Sequence, residues 1–363
     1  MPNATRWVES LSPWPEDGFG TERMRELLRE LGDPQERFPA IHVVGTNGKS
    51  TTTRLTEALL LDAGLSVGAY LSPHVRGWSE RIRVDREEAD FDAAIAAVRE
   101  AAEALGATQF EILTAAALTA FAEAEVDVAV VEAGLGGRHD ATNVLRTRVV
   151  VLTGVALVHM DVLGDTREAI AAEKLAVVQA GCTVVLGEPE WRELAQENGA
   201  ATVVVTGRSN LALAVAAAES FLERPVDPHA ADGIELAGRL ERRGDEPLEI
   251  WDGAHNLAGI GWLLPRLPSA RTWTVVCSIL RDKRPGMMLE ALSVLGPRLI
   301  ATESSNGRSL PAAELAALGF AHFENVEAVP DPAAARARAV ELAGPEGAVL
   351  VTGSLYLLAD LSR

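Results

Sequence analysis

Seven consecutive residues carry the clearest chemistry of the chain: Gly45-Thr46-Asn47-Gly48-Lys49-Ser50-Thr51. Glycines at this spacing let the backbone curl so that successive N–H groups face one anion, and a helix that follows adds its positive dipole end. Lys49 is placed to reach the β- and γ-phosphates of a nucleotide, and Ser50 or Thr51 to face the phosphates or their metal. The loop is more compact than the common P-loop pattern. An ordinary glycine-containing strand–helix turn is the bland reading. Against it stand the β-branched run IHVVG before the loop and the amphipathic helix pattern after it. By itself the loop specifies a nucleoside triphosphate, which a P-loop ATPase or nucleotide-binding regulator would also bind.

A second set of residues has the character of metal ligands. Ser72 and His74 close VGAYLSPH, and Glu132 ends VDVAVVEAG before the loop LGGRHDATN with Arg138, Asp140 and Asn143. His159 follows VLTGVALV, and Lys174 lies in AIAAEKLAV. Hard Mg²⁺ takes oxygen ligands and phosphates. Singly, each has a structural explanation. A histidine after a strand is commonly a hydrogen-bonded structural group, and a carboxylate after an apolar strand must pair with something. Lys174 beside Glu173 would suit a surface ion pair. Their joint arrangement has to decide.

The elements that position these residues follow from periodicity. Apolar, β-branched runs at 41–45, 126–134, 149–155 and 183–187 predict buried strands, and 91–106 predicts a helix. Their alternation predicts a mostly parallel sheet with helices on both faces. The rhythm restarts near residue 247 with LEIWDGA, TWTVVCSI, PRLIATES and GAVLVTGS, after a Pro-, Gly- and charge-rich stretch that puts a domain junction near 225–240. A length of 363 residues suits two domains, and 48% apolar residues suit a packed globular protein.

No apolar run approaches the roughly 20 residues of a membrane helix, and MPNATRWVES lacks a signal-peptide layout. Two cysteines, Cys182 and Cys277, make neither a disulfide framework nor a metal motif, so a reducing cytoplasm is expected. A formal charge of −19 argues against nucleic acid, and any anionic substrate needs basic residues gathered locally.

In their order along the chain, these stretches resemble the folylpolyglutamate synthase/dihydrofolate synthase branch of the Mur ligase superfamily. The resemblance rests on FGTERMRELLRELGDPQERFPAIHVVGTNGKST, LSPHVRGWSERIRVD, QFEILTAAALTAF, EAGLGGRHDATNVL and HMDVLGDTREAIAAEK. AGRL, WDGAHN, SILRDKRP and TGSLYLLADL continue it in the second half. It implies an α/β protein with an N-terminal P-loop-type, mostly parallel sheet domain over 1–232. A C-terminal Rossmann-like, glutamate-ligase-like domain over 233–363 would follow.

The resemblance also implies roles. Gly45 to Thr51 would hold the ATP phosphates, and Ser72, Glu132 and His159 would bind Mg²⁺. Lys174 matches a lysine that is typically carbamylated and so serves a second Mg²⁺. Asn210, Arg239 and Asp252 match ATP-contacting positions, and His255 belongs to the same motif as Asp252. Phe110, Glu111, Arg138 and Asp140 fall in loops that resemble the pterin side. The implied reaction phosphorylates a dihydropteroate or reduced-folate carboxylate with ATP, after which the amine of L-glutamate displaces phosphate. Lys49, Arg239 and Mg²⁺ would neutralise charge on the transferred group, with Arg239 brought in from the second domain. A monomer is the implied state. A Mur-type ligase with another acid acceptor is the alternative.

Four features depart from the family pattern, three positions and one missing segment. Val158 stands where Asp is usual, Ser50 where Gly is usual, and Leu257 where Pro is usual. A small β-rich segment normally found before Asn210 is missing, and Ser209 directly precedes it.

Overall fold

The computed structural model describes residues 3–13, 15, 18, 20–158, 160–269 and 271–363. They divide into two compact units, residues 1–73 with 78–234, and residues 74–77 with 235–363. His74, expected beside Ser72 at one strand end, therefore packs with the second unit.

In the first unit the strands are β1 (Ala40–Val44), β2 (Val67–Tyr70), β3 (Ile82–Val84), β4 (Glu87–Glu88), β5 (Val128–Glu132), β6 (Thr147–Leu152), β7 (Thr183–Leu186) and β8 (Thr202–Val205). Among the described residues they form one sheet in the order β4-β3-β2-β5-β1-β6-β7-β8. The pairs from β2 through β8 are parallel, and only β3 and β4 join antiparallel. The parallel strands are buried on both faces, which is why β1 and β5, His42 and the terminal Glu132 apart, read as apolar runs without alternation.

Chain order reverses between β1 and β6. From β1 the chain runs to β2 on one side, and from β6 to β7 on the other. Such a reversal opens a crevice beyond the carboxyl ends of the strands. The phosphate loop and the residues after β6 lie there. One face of the sheet is covered by the phosphate-loop helix (Lys49–Asp62) and the helix Asn210–Leu222, whose Leu59, Leu60, Leu213 and Ala217 pack on Val43, Val130 and Val151.

The second unit holds β9 (Glu241–Asp245), β10 (Leu248–Trp251), β11 (Trp273–Cys277), β12 (Arg298–Ala301), β13 (Asn325–Ala328) and β14 (Ala348–Thr352). They pair in the order β13-β12-β11-β14-β10-β9, parallel except for the β9–β10 hairpin. Both sheets are parallel-dominated, as the strand–helix alternation predicts. Val75 is buried in the second unit's core with Trp251, Val351 and Leu358, which explains why its short segment belongs there. Among the described residues, no helix is long and apolar enough to cross a membrane.

Candidate active site

β1 delivers the chain to Gly45, and the loop closes at Gly48, whose φ of 85° is a left-handed conformation that only glycine adopts cheaply. A Cβ at Gly48 would also stand 2.5 Å from Asn210 Oδ1. Thr46 N donates to the Gly154 carbonyl at 2.9 Å. Ala156 N donates to Thr46 Oγ1 at 3.1 Å, and Thr153 Oγ1 donates to the Asn47 carbonyl at 2.7 Å. The loop after β6 therefore braces the phosphate loop. Thr51 follows in the first turn of the helix, where unpaired N–H groups and the dipole favour an anion.

Glu132, at the end of β5, is 2% exposed, and its partners among the described residues include Ser50, Ser72 and Lys49. Ser50 Oγ donates to its Oε1 at 3.1 Å, Ser72 N donates to its Oε2 at 3.1 Å, and Lys49 Nζ lies 3.9 Å away. Three strand ends thus bring Lys49, Ser50, Ser72 and Glu132 together, although more than 80 residues separate the first from the last. A carboxylate and hydroxyls beside a phosphate-binding loop are a hard oxygen donor set, which fits Mg²⁺ held jointly with substrate phosphates. Among the described residues, no group of three His, Cys, Asp or Glu side chains stands ready to hold a metal alone. His159, expected as a further ligand, lies outside the described residues.

Lys174, in the helix Arg167–Leu175, is not a surface ion-pair residue. It is 3% exposed, and its ammonium is pushed down to about 7, chiefly by burial and further by the nearby Lys49, with Asp140 and Glu173 opposing. Burial in low dielectric penalises the charged form, so a neutral amine is available near neutral pH. Glu173 instead pairs with the exposed Arg138 at 3.5 Å, and Arg138 N donates to the Glu173 carbonyl, which joins the glycine-rich loop to this helix.

The residues expected on the pterin side have structural employment. Asp140 is buried; it accepts from Leu135 N at 2.7 Å, Thr142 N at 3.0 Å and Thr142 Oγ1 at 2.6 Å, and burial raises its pKa. Glu111 caps its own helix by accepting from Thr108 N at 2.8 Å, and it pairs with Arg23 at 2.9 Å. Phe110 is half-buried with its ring 6.1 Å from that of Tyr70. Of these residues, Arg138 and Phe110 keep side-chain surface that a ligand can meet.

In the second unit, Asp252 follows β10 and accepts from Leu240 N and Ala254 N, each at 2.9 Å. Burial raises its pKa, with those bonds and the nearby Arg239 opposing. Arg239 Nη1 donates to the Gly238 carbonyl at 3.1 Å. His255 Nδ1 donates to the Gly253 carbonyl at 2.9 Å, so the lone pair of the neutral ring sits on Nε2. Asn256 caps the helix Leu257–Leu263. The motif WDGAHN thus gathers Arg239, Asp252 and His255 at one strand end.

Reasoning from sequence missed Glu188. It is 3% exposed and stands just past β7, much as Glu132 ends β5. An acid at the carboxyl end of a buried strand was the available signal.

Two family models match: the Mur ligase middle domain over residues 43–224 and the Mur ligase glutamate ligase domain over 238–355. The chain is 31% identical to the folylpolyglutamate synthase of Lacticaseibacillus casei, covering 92% of each. It is 30% identical to the dihydrofolate synthase/folylpolyglutamate synthase of Bacillus subtilis, over 95% of this chain and 94% of that one. It also superposes with a TM-score of 0.86 and 30% identity on the crystal structure of the bifunctional enzyme of Yersinia pestis complexed with AMPPNP and Mn ion, covering 99% and 98%. With its strand ends so arranged and with these relatives, the chain belongs to the folylpolyglutamate/dihydrofolate synthase family of Mur ligases and is an ATP-dependent glutamate ligase.

Proposed function

We propose that the chain uses Mg²⁺-ATP to activate the carboxylate of dihydropteroate or a reduced folate and joins it to L-glutamate, with Lys49 and Glu132 at the centre of the site. The observation that carries this reading is the convergence of Lys49, Ser50, Ser72 and Glu132 at three strand ends. Residues Gly45 to Thr51 bind the triphosphate, and Asn210, Arg239 and Asp252 contact the nucleotide. The AMPPNP and Mn of the Yersinia pestis relative support nucleotide and divalent metal here. Ser72, Glu132 and His159 hold one Mg²⁺, which supplies charge neutralisation for phosphoryl transfer.

The acceptor carboxylate attacks the γ-phosphorus, forming an acyl phosphate and ADP. Lys49 stabilises negative charge on the phosphoryl oxygens as it moves. The glutamate amine then attacks the acyl carbon, loses a proton and expels phosphate, with the neutral His255 ring as the base that receives that proton. Lys174 acts as a carbamate, formed when its neutral amine adds CO₂ and releases a proton, and so offers oxygens to a second Mg²⁺. Its low pKa supports this role. Phe110, Glu111, Arg138 and Asp140 shape the pterin side. Residues 1–232 and 233–363 act as the two functional domains of a cytoplasmic monomer. The two buried free cysteines suit that compartment.

ADP release by purified protein with Mg²⁺-ATP and L-glutamate, compared across dihydropteroate, a reduced folate and no acceptor, tests the proposal. Release that needs both glutamate and a pterin is expected. Turnover driven by another acid would favour a Mur-type ligase with a different acceptor.

A further inference from the structure

The connection from β8 to the helix Asn210–Leu222 consists only of residues 206–209, so little chain remains to set the position of Asn210. Besides the bond from Thr206 N to the Leu186 carbonyl at 3.1 Å, the connection is held by Glu188. Its Oε1 accepts from Arg208 and, at 2.8 Å, from Arg167. Its Oε2 accepts from Val155 N at 3.0 Å and Trp191 Nε1 at 2.8 Å. Arg167 in turn donates through Nε to the Val155 carbonyl at 3.1 Å. Burying a carboxylate is costly unless it is paired and fully hydrogen-bonded, and two of these four donors, Val155 and Arg208, belong to segments that reach the phosphate loop.

Two routes lead from this carboxylate to that loop. Val155 lies between Gly154 and Ala156, the two residues that grip Thr46 on the Gly45 side of the loop. That grip is close: a Cβ on Gly45 would stand 2.0 Å from Thr153 Oγ1. Arg208 lies two residues before Asn210, whose Oδ1 abuts Gly48 at the other end of the loop. Arg208 is 69% exposed as a side chain, so its ion pair alone would count for little on a surface; its partner, however, is a buried carboxylate.

We propose that Glu188 is a positioning residue for ATP, tying both flanks of the phosphate loop together, and that Arg208 is the latch through which the short β8 connection holds Asn210 against Gly48. The proposal rests on the reading of residues 45–51 as the ATP-binding loop.

The test measures ATP binding by calorimetry and steady-state KM values for ATP and glutamate in the full chain, together with thermal midpoints. Glu188→Gln keeps acceptors for Val155 and Trp191 but removes the charge facing two arginines. Arg208→Ala removes an exposed side chain and should fold normally. Each should weaken ATP binding by roughly three- to tenfold with the glutamate KM unchanged, and the double variant should be no worse than the poorer single one, because both act on one linkage. Arg208→Lys should recover part of the loss.

Parent-like ATP binding in both variants overturns the proposal. So does a parallel rise of every KM with a lowered thermal midpoint, which would make Glu188 structural only, and so does an effect of Glu188→Gln with Arg208→Ala neutral. Failure of the parent itself to bind ATP would instead refute the reading of the loop.

Discussion

Lys49 and Glu132 form an ion pair of 3.9 Å between the first residue of the phosphate-loop helix and the last residue of β5. Ser50, the next residue of that helix, donates to the same carboxylate oxygen. One buried acid thus holds both the cation proposed to meet phosphate and the hydroxyl proposed to face its metal. Glu132→Gln keeps hydrogen-bonding capacity and nearly the same volume but loses the charge a divalent cation needs. Turnover should fall by about 10²-fold or more, on the scale of losing one electrostatic catalytic group, while the thermal midpoint changes little. Steady-state ADP release with a parallel melting curve checks this. Activity within a few-fold of the parent would remove Glu132 from the metal site.

Gly48→Ala probes the loop without touching a charge. Alanine at φ 85° costs on the order of 1–2 kcal/mol, and its Cβ would press on Asn210 Oδ1 at 2.5 Å. A modest drop in melting temperature is expected, with ATP binding weakened by about tenfold or more as the loop shifts. Calorimetric titration with ATP decides. Undiminished affinity would mean that the loop does not need this shape.

Lys174 makes a pH- and CO₂-dependent prediction. Its pKa drops from 10.5 to about 7, first through burial and then through Lys49. Carbamylation needs the neutral amine, so enzyme stripped of CO₂ should regain activity on adding bicarbonate, and more readily at pH 8 than at pH 6. Lys174→Arg should be folded, inactive and unresponsive. For the unmodified lysine, the unfolded chain binds more protons than the folded chain between about pH 7 and 10.5. Stability from this group therefore rises with pH across that window, and the cost of the buried ammonium is fully present below it. Lys174→Met should raise the melting temperature most at pH 6. Melting curves in CO₂-free buffer across pH 6–10 measure it.

His42 predicts acid sensitivity of a different kind. In β1 it is 1% exposed, bonded to Thr142 Oγ1 at 2.8 Å, and burial lowers its pKa from 6.5 to about 3. Above pH 6.5 it contributes no pH dependence. As pH falls from 6.5 to 3 the unfolded chain takes up a proton that the folded chain refuses, so stability is lost at about 1.4 kcal/mol per pH unit. His42→Gln should flatten that slope in urea titrations at pH 4 to 6.5. An unchanged slope would place the acid sensitivity elsewhere.

Much of the site was legible in the linear chain because backbone chemistry is local. Gly45, Gly48 and Lys49 declare a phosphate loop by type and spacing, and the apolar runs of β1, β5 and β6 declare buried parallel strands. Lys174 was misleading by itself: beside Glu173 it reads as half of a surface pair, whereas the fold buries it near Lys49 and leaves Glu173 to Arg138. For Asp140 and Glu111 the resemblance implies the pterin side, and only the fold shows that they also hold Thr142 and Thr108. Glu188 gave little warning, since its four donors come from four separate segments.

What the sequence determined alone is therefore the set of elements and the order in which they alternate, since side-chain periodicity and glycine spacing act within a few residues of themselves. What only the tertiary structure decided is which strand ends meet. The pairing of β1 with β6 at the reversal brings Thr46 against Gly154, and the pairing of β1 with β5 on its other side brings Lys49 toward Glu132. Burial and charge proximity then set the state of Lys174 and His42, because the energy of a charge depends on everything packed around it and not on its neighbours in the chain.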